Sequence, residues 1–176
     1  MFHPTAYENF KIIIEGSVYD ADFSGEIIVI DRSEQLDLAV LSRRFEITYT
    51  LRENENIKGS IVVHAPIKQL AAELNVKDEP SIGAFIELHF RSKTGNKPGE
   101  ALIAGITGCL QNIWGVERDY HVVTSEVYLN GSLEGWRIDS MVSFKRLVTE
   151  NQAEDLYNLV PYGIRTLEEL DRTINR

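Results

Sequence analysis

The stretch ALIAGITGCLQNIW, residues 101–114, decides how this chain folds, because its apolar side chains fit two periods at once. As a strand it aligns Leu102, Ala104, Ile106, Gly108, Leu110 and Trp114; as a helix it stacks Leu102, Ile106, Cys109, Leu110 and Ile113. Gly105 and Gly108 each cost a helix interior about 1 kcal/mol against alanine, whereas glycine in a strand marks a bulge or bend. That difference predicts a strand here, bent in the way a barrel-like sheet requires.

Upstream, FRSKTGNKPGEALIAG (residues 90–105) has the glycines and lysines of a phosphate-binding loop but lacks its ending. A Walker-type loop closes on glycine-lysine-serine or -threonine at a helix start, where N–H groups and lysine converge on one anion. Here Lys93 and Thr94 precede Gly95, and Gly99 is followed by the acidic Glu100. Pro98 and Gly99 instead suit the central positions of a type II turn, so the stretch predicts a hairpin tip.

On either side, alternation predicts strands over residues 83–92, 119–129 and 136–147, with Asn130-Gly131 as a tight turn between the last two. Together with 101–113 these form an antiparallel meander, since their links are too short for parallel crossovers.

The first half alternates most cleanly in RFEITYTLR, residues 44–52, where Phe45, Ile47, Tyr49 and Leu51 oppose Arg44, Glu46, Thr48, Thr50 and Arg52. Asn54-Glu55-Asn56 links it to a partner over residues 57–64, a hairpin by the same logic. FKIIIEGSVY (10–19) and GEIIVID (25–31) are isoleucine-rich on both faces and are parted by Asp20, Asp22, Ser24 and Gly25, which predicts a hairpin of central strands. Residues 32–43 suit either a short helix, through Leu36, Ala39, Val40 and Arg43, or a strand. A helix of about ten residues follows Pro66, striped by Ile67, Leu70, Ala71 and Leu74. At the C-terminus, Thr149 with Gln152 and Thr166 with Glu169 match the capping box, predicting two helices parted by Pro161 and Gly163.

The fold expected is therefore α+β: one domain over residues 1–176, about eight antiparallel strands in a strongly bent or barrel-like sheet, one inserted helix and two C-terminal helices. With 43% hydrophobic residues the chain can build a core. Its 18 basic against 27 acidic residues, a formal charge of -9, and the scatter of its lysines exclude a sequence-independent nucleic-acid or anionic-membrane surface. Cys109 is the only cysteine, which excludes an internal disulfide or a multi-cysteine zinc site and suits a reducing cytoplasm.

Chemistry-bearing patterns are few. Glu87, His89 and Arg91 share one face of a predicted strand, and a carboxylate, an imidazole and a guanidinium so displayed can orient an anionic ligand or relay a proton. They are the ligand-binding candidates, and a solvated strand face would carry the same pattern. His64 and His121 lack the close spacing of a metal site, no glycine-x-serine-x-glycine elbow occurs, and Cys109 in apolar company behaves as a small hydrophobe. Asp20 and Asp22 read as turn chemistry, and Trp114, Tyr120, Tyr128 and Trp136 as packing. No catalytic residue, metal or cofactor is expected. The functions ranked from these patterns are a binding or regulatory module for a small molecule or protein partner, then a homo-oligomeric assembly protein, then an enzyme built on Glu87, His89 and Arg91.

Overall fold

The isoleucine-rich N-terminal run coils rather than extends. In the computed structural model, which describes residues 6–66, 69 and 82–175, it is part of helix α1, Ala6–Ser24. Tyr7, Phe10, Ile14, Val18 and Ala21, three or four apart, form its buried stripe. The strand predicted for residues 10–19 is thereby corrected: β-branched residues favour strands only weakly, and burial of a helical stripe overrides that preference. Gly25, at φ +88°, ends the helix, and its N–H and that of Glu26 close back on the Asp22 and Ala21 carbonyls.

The first hairpin therefore joins β1, Ile27–Asp37, to β2, Ser42–Leu51. The helix weighed for residues 32–43 gives way to strand and turn, since Asp37 Oδ1 accepts the N–H groups of Ala39 and Val40 at 2.9 and 3.3 Å. The second hairpin, β2 to β3 (Asn54–Ala65), forms as alternation predicts, but its turn is Arg52-Glu53 and the expected link Asn54-Glu55-Asn56 belongs to β3, where Asn54 Oδ1 accepts the Asn56 N–H beside a register shift in the pairing. The helix predicted after Pro66 lies outside the described residues.

Strand β4, Gly83–Thr94, leads through residues 95–98 into helix α2, Glu100–Trp114. Both expectations for this region are overturned. Gly99 sits at φ -85°, ψ 168° as the residue before the helix, so neither the type II turn nor the hairpin tip forms. Residues 101–114 are helical because burying Ile106 and Leu110 completely outweighs the two glycine penalties. One glycine also has a use: a Cβ on Gly105 would lie 3.3 Å from Thr173, so its absence lets the last helix approach α2.

Strands β5, Asp119–Leu129, and β6, Ser132–Ser143, form the predicted hairpin. Asn130 and Gly131 both adopt positive φ, as a two-residue turn between Leu129 and Ser132 requires. A short β7, Val148–Thr149, adds to the start of β4. The two C-terminal helices are a 3₁₀ helix, Glu150–Asn158, and α3, Leu159–Ile174, joined end to end. Thr149 is the residue that opens the first, as its spacing predicts. Pro161 falls in the first turn of α3, where no donor is lost, so the boundary lies two residues before it. Thr166 lies inside α3 rather than at a cap, its hydroxyl donating to the Tyr162 carbonyl.

The result is an α+β fold in which the described residues form one seven-stranded antiparallel sheet, ordered β1-β2-β3-β4-β6-β5 with β7 beside β4. It is an open sheet, with β1 and β5 at its edges, so the barrel-like expectation holds only loosely. Helices pack on one face, covering Phe45, Ile47, Tyr49, Ile61, Leu88, Phe90, Ile138 and Val142. Each such fully buried side chain stabilises by about 1.5–3 kcal/mol. One tight joint is at Tyr49, whose ring lies 3.4 Å from a Cβ built on Gly59 and whose hydroxyl fills the place of a Cβ on Gly163 of α3.

Candidate functional site

Because side chains alternate along a strand, the face opposite the helices carries the residues between the core positions. The register assembles them into rows. Asp31, Thr48, Ser60, His89, Met141 and His121 are successive cross-strand partners from β1 to β5. The next row runs Thr50, Lys58, Arg91, Asp139, Val123, and the one on the other side Ser33, Glu46, Val62, Glu87, Ser143, Asp119. The first row and, from the second, Lys58, Arg91, Asp139 and Val123 line a trough of about 560 Å³, with Ile30 and Glu46 at its β1 and β2 end.

The three candidates lie here, on consecutive outward positions of β4. His89 Nε2 is 3.0 Å from Glu87 Oε2, and since an ionised carboxylate only accepts, the ring N–H is the donor. That hydrogen bond holds the Glu87 carboxyl below its ordinary range; partial burial opposes it, and the charges of His89, Arg44 and His64 add to it. Arg91 takes a different partner. Its Nε donates to Asp139 Oδ1 at 2.7 Å while Arg137 Nε occupies Oδ2 at the same distance, so one carboxylate clamps two guanidinium groups. Thus His89 and Arg91 both line the trough and Glu87 supports His89 from the adjoining row.

Several trough residues escaped the sequence reading. Thr48 and Ser60 join hydroxyls at 2.7 Å, Lys58 makes no ion pair among the described residues, and His121 faces them from β5. Alternation marks each of them as outward-facing, but only the register brings them together. The trough supplies donors (Lys58, Arg91), acceptors (Asp31, Glu46, Asp139), groups that serve as either (Thr48, Ser60, His89, His121) and an apolar floor (Met141, Val123, Ile30). Ser60 stands directly opposite His89, yet its hydroxyl bonds Thr48 rather than the imidazole. A nucleophile–base pair is not assembled.

The remaining candidates disperse. Cys109 is half-buried on α2, and burial first, then Glu169, pushes its thiol pKa up, against Arg165, which is the opposite of nucleophile activation. Asp22 accepts the Val29 N–H and meets Arg52, a structural role. Trp114 packs with Phe144 and Tyr162, Trp136 lies under Lys97, and Tyr120 donates to the Gly115 carbonyl, so the aromatics do not gather into one cage. Among the described residues no group of three His, Cys, Asp or Glu is placed to hold a metal ion, and no helix is long and apolar enough to cross a membrane.

Comparison of the chain with protein-family models, with curated proteins and with solved structures finds no match in any of the three.

Proposed function

We propose that this protein is a binding module that holds a hydroxylated small molecule in the trough on the polar face of its sheet. One observation carries the reading: six strands bring donors, acceptors and an apolar floor together around a trough of about 560 Å³, within the size range of small-molecule sites. A polyhydroxylated ligand matches that alternation, its hydroxyls meeting Lys58, His89 and the carboxylates while its carbon face rests on Met141 and Val123. Glu87 serves by orienting the His89 ring, and Arg91, held by Asp139, frames the site. With its single cysteine the module belongs in a reducing cytoplasm.

Titration calorimetry with a panel of monosaccharides and polyols tests this. A binder is expected whose affinity falls about tenfold in His89→Ala and in Lys58→Ala, the loss of one hydrogen bond to a polar or charged group each. A panel without a binder, or one whose binder ignores both substitutions, defeats the proposal.

A second reading, self-assembly, is favoured by the β5–β6 hairpin. Among the described residues its 11-residue edge strand pairs on one side only, and Val123, Tyr128, Leu129 and Leu133 are more than half exposed. Light scattering that reports a dimer, lost in Val127→Pro on that edge, supports it; a monomer removes it.

A further inference from the structure

A second cavity, of about 300 Å³, lies on the helix side of the sheet, far in chemistry from the trough. Trp114 at the end of α2, Phe144 just after β6 and Tyr162 on α3 form its aromatic wall. The Trp114 and Phe144 rings meet edge to face at 6.0 Å and 87°, and Tyr162 tilts against Trp114 at 5.6 Å. Trp114 Nε1 donates to Thr166 Oγ1 at 3.0 Å, which fixes the indole. Val148, Leu156 and Leu159 close the floor as buried apolar groups.

Against this wall stand two guanidinium groups from two different connections. Arg118, between α2 and β5, lies 4.6 Å over the Phe144 ring. Arg146, between β6 and β7, reaches the Gln152 carboxamide, whose oxygen takes both guanidinium nitrogens at 3.1 Å once the amide is turned to face donors. The same amide oxygen in its other orientation is 3.4 Å from the Thr149 N–H; the shorter, charged pair is the stronger. Neither arginine is ion-paired among the described residues, although Asp155 shares the lining. In a chain of net charge -9, with most of its other arginines held by carboxylates, two carboxylate-free guanidinium groups at one aromatic cavity are a departure that a ligand anion would complete.

We propose that this cavity binds a planar aromatic carboxylate, its ring against Trp114 and Tyr162 and its carboxylate received by Arg118 and Arg146. The volume lies at the small end of ligand sites and suits one or two fused rings. The site is independent of the trough, so either stands if the other fails.

Tryptophan fluorescence tests it with benzoate and indole-3-acetate as probes and the matching neutral amides as controls. Trp136→Phe leaves Trp114 as the only indole. In that background at least one carboxylate should change Trp114 emission saturably, and its amide should bind about tenfold more weakly or not at all. Arg118→Gln and Arg146→Gln should each weaken the carboxylate about tenfold at an unchanged unfolding midpoint, which separates lost recognition from lost structure. If heteronuclear NMR perturbations confirm contact at residues 113–118 and 144–148, the placement holds. Neither carboxylate binding, equal binding of acid and amide, or affinity indifferent to both substitutions overturns it.

Discussion

Leu88 and Glu87 are neighbours in β4, yet they belong to two different kinds of surface. On the helix side, Leu88, Phe90 and Ile86 are buried and the packing is close enough that Tyr49 occupies the space at Gly163 where a side chain would stand. On the other side, the His89–Glu87 hydrogen bond and the Arg91–Asp139 ion pair join side chains that remain about a third exposed or more, His89 and Glu87 at 33% and 32%. The first surface carries the stability, since burial scales with area and close packing penalises any misfit. Exposed pairs contribute little to stability, typically below about 1 kcal/mol, which leaves the second surface free to be chosen for its chemistry. A fold that assigns stability to one face of its sheet can vary the other without unfolding.

The comparison breaks first at Gly163. A Cβ there would stand 2.1 Å from the Tyr49 hydroxyl. Gly163→Ala should therefore destabilise by about 3 kcal/mol as overpacking, measured by denaturant unfolding. Adding Tyr49→Phe should restore most of the loss, because the hydroxyl is the clashing group and finds no hydrogen-bond partner among the described residues. A double variant as unstable as the single one would place the strain elsewhere.

Gly108 sharpens the comparison from within the helix layer, where packing is not uniformly tight. Beyond its chain neighbours and the backbone of its own helix, no atom of the described residues lies within 4 Å of a Cβ placed on it. Gly108→Ala should then raise stability by about 1 kcal/mol, the propensity difference with no steric charge against it. Destabilisation would mean that α2 needs glycine for a contact beyond the helix.

The smallest effect belongs to the polar face and is visible only in acid. The folded-state pKa of Glu87 is lowered, chiefly by the His89 hydrogen bond, so its contribution is complete above the unfolded value of about 4.3 and is lost as pH falls through the folded value. The stability difference between the parent chain and Glu87→Gln should be flat above about pH 5 and shrink below it. A difference that grows with acid would reverse the sign of the Glu87–His89 coupling.

Legibility in the sequence followed the contrast between neighbours. In residues 44–52 every second side chain is polar, so the period could be counted and β2 lies where it was expected. In residues 10–19 and 101–113 the polar marks are sparse, so both periods fit, and propensity was left to decide; isoleucine and glycine both argued for strands, and both segments are helices. For α1 a signal was present, since Tyr7, Phe10, Ile14, Val18 and Ala21 keep helical spacing across a longer window than the isoleucine run. Of the trough, the β4 residues His89 and Arg91 were identifiable by alternation on one strand. Lys58, Ser60 and His121 were not, because pairing register depends on which strands meet, and Asn130-Gly131 fixes that locally for β5 and β6 alone. The aromatic cavity was less legible still, its wall coming from residues 114, 144 and 162.

The sequence by itself determined the antiparallel β character of the body, the Asn-Gly hairpin, the helical C-terminus and the absence of a dense catalytic motif, because each rests on residues close together in the chain. The tertiary structure decided which ambiguous segments coil, that the sheet stays open, and which polar side chains share a surface. The physical reason is one of range: alternation and turn chemistry act over a few residues, whereas a segment apolar on every side takes the form that buries it best against partners it meets only in the folded state.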